Sequence, residues 1–203
     1  SVYSSGGFRQ LGNATKPVRV PDDMKGLKWR TTKSPVEFML VKNWGATPTP
    51  YDWSQLYTGL QSGVVEGQYV ASPWQHVAKL HEVAKYFTEI GGMWSGNILA
   101  MDAKQYNALS SQERKWLHEA ADAYGEKVNQ LDNAWIKNGE DAIKASAKEW
   151  YVPTEAELTK WRAGAIGAWL DAKGTFEPAV AKRVLLEQGM ESFVEQLEKA
   201  GAL

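Results

Sequence analysis

The chain has 203 residues, enough for one large domain or two small ones with a substantial buried core. Its 23 Lys and Arg against 24 Asp and Glu leave no basic face of the kind nucleic-acid binding requires. Cysteine is absent, which excludes disulfides, zinc–thiolate sites and cysteine nucleophiles.

The first expected strand covers residues 27–30 and ends in Arg30. Ser34-Pro35-Val36-Glu37 then offers a serine N-cap, a proline at the first helical position and a glutamate at the third. That capping box opens a helix expected to run to Trp44, with Gly45 as its left-handed stop. A second strand is predicted at 47–50, a helix opened by Asp52 with Gln55 and closed by Gly63, and a third strand at 64–69. Strands at 86–90 and 97–101 flank Gly91-Gly92-Met93-Trp94-Ser95-Gly96, which is too short and too aromatic for a tether and suits a tight crossing.

From Ser110 the pattern is helical. Ser110 with Glu113 opens a long helix whose Leu117, Ala120, Tyr124, Val128, Leu131 and Trp135 form a stripe expected to be buried. Gly125 and Gly139 bend it without breaking it. Thr154 with Glu157 begins another helix, and residues 176–200 form one or two more. Strands alternating with helices in the first hundred residues predict a parallel-type α/β layer, followed by helices that wrap or extend it. The ten tryptophans show no repeat period, and most are expected in the core.

Catalytic readings find little support. His76, His81 and His118 are scattered, and no H-E-x-x-H, G-x-S-x-G or P-loop word occurs, so no metal or cofactor is expected. An anion site reads better. At the end of its strand Arg30 presents a planar fork that matches both oxygens of a carboxylate. Thr31, Thr32 and the positive end of the Ser34-capped helix follow directly. The competing reading pairs Arg30 with Glu37 or Asp52. Trp53, Tyr69, Trp74 and Asn97 are placed by the same pattern near strand ends, where open α/β sheets bind ligands.

Pro21-Asp22-Asp23-Met24-Lys25-Gly26-Leu27-Lys28-Trp29-Arg30, Gly45-Ala46-Thr47-Pro48-Thr49-Pro50 and Ser54-Gln55-Leu56-Tyr57-Thr58-Gly59-Leu60-Gln61-Ser62-Gly63-Val64-Val65-Glu66-Gly67-Gln68 resemble words of the solute receptors of TRAP (tripartite ATP-independent periplasmic) transporters. His81-Glu82-Val83-Ala84-Lys85-Tyr86 and Gly7-Phe8-Arg9-Gln10 are similar to theirs as well. The resemblance implies an α/β, periplasmic-binding-protein-like lobe at 1–109, with remnants of a first lobe at 1–20. At 110–203 it implies long C-terminal helices, the first of which spans both lobes. It makes Arg30 the principal carboxylate clamp and Arg9 its assistant. It also sets Trp53, Asn97 and the turn from Gln68 through Tyr69 to Trp74 around the ligand. Where many relatives continue Glu-Asn-Pro, this chain has Tyr69-Val70-Ala71, so a more apolar or aromatic-lined pocket is expected.

The resemblance thus implies a receptor, not an enzyme, that binds a small organic acid in the periplasm and delivers it to the membrane subunits of a TRAP permease. No nucleic acid is expected as a partner. The opening residues have no signal-peptide pattern, so a signal is expected to have been removed. Family receptors are longer and close two lobes about a hinge. Most of the first lobe of the same receptor is therefore expected to be missing, with weak or no binding by this chain alone. Two other readings stand beside this one: an enzyme that orients a carboxylate substrate on Arg30, and a carbohydrate-binding module presenting Trp53, Trp74 and Trp94 as an exposed platform.

Overall fold

A computed structural model describes residues 2–203. In chain order the strands are β1 (Val2–Asn13), β2 (Lys28–Thr31), β3 (Thr47–Pro50), β4 (Gly67–Ala71), β5 (Tyr86–Thr88), β6 (Trp94–Ile98) and β7 (Glu149–Tyr151). The helices are α1 (Pro35–Asn43), α2 (Leu56–Gln61), α3 (Ser72–Val77), α4 (Ala103–Ala108), α5 (Ser111–Ser146), α6 (Glu155–Asp171), α7 (Pro178–Glu187) and α8 (Glu191–Ala200). The sheet order is β3-β2-β4-β1-β5-β7, with β6 paired to β1 off that path. β2 runs parallel to β3 and β4, and β5 parallel to β7, whereas β1 is antiparallel to β4, β5 and β6. The layer is thus mixed α/β rather than parallel throughout.

Local chemistry sets most boundaries. The Ser110–Glu113 and Thr154–Glu157 boxes both form, with each glutamate carboxylate accepting from the cap N–H at 2.8 Å. The two prolines of β3 sit on the sheet edge, where a missing N–H costs least. Asp52 makes no side-chain cap, and a 3-10 turn over Trp53–Gln55 leads into α2 instead.

β1, which the sequence pattern did not single out, organises the molecule. Residues from Arg9 to Asn13 pair with β4 and β5, while the earlier part pairs with β6. The changeover is a register shift at Gly6 (φ +93°) and Gly7 (φ +69°), a backbone that side chains other than glycine resist. α5 lies across this point. Asp132 accepts from Gly6 N at 2.9 Å and from the Ser4 hydroxyl.

The core behind the sheet joins Leu11, Trp29, Val41, Trp44, Tyr69 and Trp161. Trp44 meets the Tyr69 and Trp161 rings edge-on, at centroid distances of 5.6 and 5.0 Å. Trp29, Trp44 and Trp161 are buried, but Trp53, Trp74, Trp94 and Trp116 are exposed. The stripe expected to be buried on α5 is largely open: Ala120, Tyr124 and Leu131 are exposed. The face that packs carries Gly125, Asp132, Gly139 and Ile143, and at Gly139 the missing side chain lets the helix approach Pro73 of α3. No described helix is long and apolar enough to cross a membrane.

Candidate functional site

A cleft of about 410 Å³ opens at the carboxyl ends of β2 and β4. β1 contributes Ser5 and Arg9 to its walls, and Arg30 and Thr32 come from β2 and the residue after it. Trp53 stands on the 3-10 turn, Val70 and Ala71 end β4, Trp74 begins α3, and Trp94 to Asn97 run along β6.

Arg30 is held from behind. It is only 5 % exposed, and its Nε donates to the Tyr51 carbonyl at 3.0 Å. Its guanidinium carbon lies 5.9 Å from the Trp53 ring centroid, within cation–π range. Among the described residues its two terminal nitrogens have no hydrogen-bond partner, which leaves them for a ligand. Burial lowers the Arg30 pKa, with Glu37 opposing the shift and Arg9 adding to it. A guanidinium still carries its charge at any physiological pH.

Arg9 approaches from the sheet centre. Its Nε donates to the Ser95 hydroxyl at 3.3 Å and its Nη1 lies 3.5 Å from Glu37 Oε2. Trp74 is fixed by its Nε1, which donates to the Ser5 carbonyl at 3.0 Å, and by an edge-on contact with Trp135 at 5.1 Å. Asn97 is exposed on β6, opposite Tyr3.

The structure thus brings Arg9, Arg30, Trp53, Trp74 and Asn97 around one cleft and leaves Gln68 and Tyr69 out of it. Gln68 is wholly buried and donates to Gln75 Oε1 at 2.6 Å, while Tyr69 is part of the core behind the sheet. Position along β4 explains this: the cleft takes the residues at the strand's carboxyl end, Val70 and Ala71, and Gln68 and Tyr69 lie farther back. Burial pushes the Tyr69 phenol well above its ordinary pKa. Trp53, Trp74 and Trp94 line the walls of a cleft instead of forming a flat platform.

Glu37, weighed in the sequence only as a cap residue and a rival partner for Arg30, meets Arg9 at the site. Its place in the Ser34 box suggested a capping role, and Ser34 does accept from Glu37 N at 3.5 Å. The carboxylate, however, turns away from the cap. It accepts from Thr32 N at 3.3 Å and from the Thr32 hydroxyl, and meets Arg9. The Thr32 hydroxyl expected to face a ligand is taken by this side chain. The glutamate seven residues beyond the strand-ending arginine was the available signal.

A larger cavity of about 730 Å³ lies between α1 and α6 to α8, walled by Leu40, Trp44, Trp161, Trp169, Leu185 and Phe193. Its charged member, Arg162, pairs with Glu155, so the smaller cleft has the recognition chemistry. Among the described residues no group of three His, Cys, Asp or Glu is placed to hold a metal ion.

Residues 2–173 match the family described as bacterial extracellular solute-binding protein, family 7. The chain is 29 % identical over 136 residues to the ectoine-binding periplasmic protein TeaA of Halomonas elongata, covering 67 % of this chain and 40 % of that protein. It is 30 % identical over 130 residues to the 2,3-diketo-L-gulonate-binding periplasmic protein YiaO of Escherichia coli, covering 64 % and 40 %. The fold is that of a TRAP periplasmic solute-binding protein from Shewanella oneidensis with bound succinate, at a TM-score of 0.82 and 20 % identity over 97 % of this chain and 61 % of the other. The matches to TeaA and YiaO thus span less than half the length of either protein. The family match runs through the strands and helices that build the cleft, and the chain belongs to family 7 of the bacterial extracellular solute-binding proteins.

Proposed function

We propose that this chain is the arginine-bearing lobe of a TRAP receptor that captures a small organic acid outside the cytoplasm and passes it to membrane permease subunits. The observation that carries the reading is Arg30, anchored through Nε to Tyr51, stacked near Trp53 and presenting its other two nitrogens to the cleft. Such a fork recognises one carboxylate in bidentate fashion. The ligands named for the relatives, ectoine, 2,3-diketo-L-gulonate and succinate, are small polar molecules, and the last two are carboxylates by their chemistry.

A first lobe of the same receptor completes the pocket in this reading. Ile98 at the end of β6, Leu99 and Met101 after it, and Trp116, Tyr124 and Leu131 on α5 are all at least 45 % exposed. That much open apolar surface on neighbouring elements fits a partner lobe. Ligand then favours the closed arrangement through contacts made only there, and the permease reads that population shift. The family is one of binding proteins, so the cleft holds its ligand without turning it over, and a periplasmic location follows from the same reading.

The test is an NMR titration of the tryptophan indole signals with butyrate and succinate. Arg30, Arg9, Trp53 and Trp74 all belong to this chain, so weak binding, with Kd on the order of 1–10 mM, is expected without the other lobe. The Trp53 signal should move in the wild type and stay still in Arg30→Ala. Shifts that survive the substitution put the clamp elsewhere. A neutral sugar that moves the indoles equally in both proteins would favour the carbohydrate-module reading.

A further inference from the structure

We propose that Glu37 sets the charge of the ligand: by holding Arg9 it leaves a cleft with one uncompensated cation, Arg30, and so selects a monocarboxylate over a dicarboxylate. This rests on the receptor reading above and extends it to the substrate class.

Charge and geometry support it together. Arg9 and Arg30 both line the cleft, and two guanidinium groups would suit a dianion. Glu37 is 2 % exposed and stands 3.5 Å from Arg9, so two positive charges and one negative leave a single net positive charge. At that burial the Glu37 carboxylate is poorly screened by solvent, while the Arg9 side chain is 26 % exposed and reaches the cleft. Asp52, which also acts on Arg30, is exposed, where screening weakens it. Glu37 further takes both the N–H and the hydroxyl of Thr32, removing the donors that a second carboxylate would need at this end. It lies in the first turn of α1, where the positive helix end favours an anion. The protein's own carboxylate therefore occupies the second anion position.

The remaining wall has no further cation and is rich in apolar surface. Beyond the two arginines and Thr32 the cleft offers Trp53, Trp74, Trp94, Val70 and Ala71, with Ser5, Ser95 and Asn97 as its neutral polar members, the two serine hydroxyls already accepting from Trp74 and Arg9. A ligand with one carboxylate and an uncharged body fits these walls, whereas a second charge would be desolvated without a partner. Glu37 is thus a positioning residue acting through Arg9 and Thr32.

Butyrate and succinate share a four-carbon backbone and differ in one carboxylate, which makes them the probes. Their Kd values are measured by the indole titration on the whole chain, in wild type, Glu37→Gln, Glu37→Asp and Arg30→Ala. The wild type should prefer butyrate. Glu37→Gln keeps the shape, frees Arg9, and should shift the ratio toward succinate by on the order of tenfold, while Glu37→Asp should keep the wild-type preference. A wild type that prefers succinate overturns the inference, as does an unchanged ratio in Glu37→Gln whose indole spectrum stays folded. Loss of both acids in Arg30→Ala with no change of ratio in Glu37→Gln would leave the clamp standing and remove only this inference. Binding that survives Arg30→Ala, or no shift with either acid in the wild type, would remove both.

Discussion

Gly139 of α5 packs against Pro73 of α3 so closely that a Cβ built on it would lie 2.6 Å from the Pro73 Cα. The atoms it would strike are backbone, which cannot swing aside. This contact sets α3 against α5 and so places Trp74, next to Pro73, between the cleft and Trp135. Gly139→Ala should therefore cost about 3 kcal/mol, at the upper end of overpacking. Gly125 is the internal control: it lies in the same helix and a Cβ there meets nothing within 4 Å. Gly125→Ala should stabilise by about 0.5–1 kcal/mol through helix propensity. Urea unfolding of the two variants checks both signs, and two equal effects would sink the contact argument.

What the sequence made legible was local. Ser34, Ser110 and Thr154 each announce a helix by side-chain chemistry within four residues, and those helices are present. β3 and the strand ending at Arg30 followed from apolar and proline patterns of the same short range. β1 escaped because Ser4-Ser5-Gly6-Gly7 has weak strand propensity and two left-handed glycines, and its pairing with three distant strands is a tertiary fact. In the cleft, Arg30 and Trp53 were legible from their places at element ends. Gln68 and Tyr69 lie outside the cleft because β4 runs on to Ala71, past the strand end expected at 69, so Val70 and Ala71 reach the cleft instead. Glu37 was legible as a cap residue and as a rival partner for Arg30, but not as the partner of Arg9, which lies 28 positions away on β1.

Arg30→Lys separates charge from geometry. A lysine keeps the positive charge but has no Nε to donate to Tyr51 and no fork for a carboxylate. Butyrate affinity should fall about tenfold, with the fold unchanged by circular dichroism. Trp53→Phe should lose less than Trp53→Ala, because the ring faces the guanidinium and phenylalanine retains part of that attraction. Equal affinity for all three side chains at position 53 would show that the ring contributes nothing to the clamp.

Asp132 is the pin at the β1 register shift. Its carboxylate accepts from Gly6 N at 2.9 Å and from the Ser4 hydroxyl, and it is buried. Asp132→Ala strands a buried backbone N–H and should cost about 2 kcal/mol. Amide exchange at Gly6 should accelerate in step, whereas exchange within β4 should change only by the global loss. Uniform acceleration at both places would mean that Asp132 stabilises the molecule generally and does not fix the changeover.

The pair Arg19–Glu149 predicts a pH dependence that can be given a sign. Arg19 Nε and Nη2 donate to the two Glu149 oxygens at 3.0 and 2.9 Å, and its guanidinium lies 5.0 Å from the Tyr151 ring centroid. The fork ties the segment before α1 to β7, the far edge of the sheet. Hydrogen bonding to Arg19 holds the Glu149 carboxyl below its ordinary pKa. A group depressed in the folded state contributes stability above its unfolded pKa, about 4.3 for glutamate, and loses it as pH falls through the folded value. Glu149→Gln should therefore lower the melting temperature near neutral pH, and the gap to wild type should close as pH drops below about 4. High salt should narrow the gap at neutral pH, since Arg19 is half exposed and screening reaches it. A gap independent of both pH and salt would assign the effect to packing of the glutamate stem, and Arg19→Ala would then leave the pH profile of Glu149→Gln unchanged.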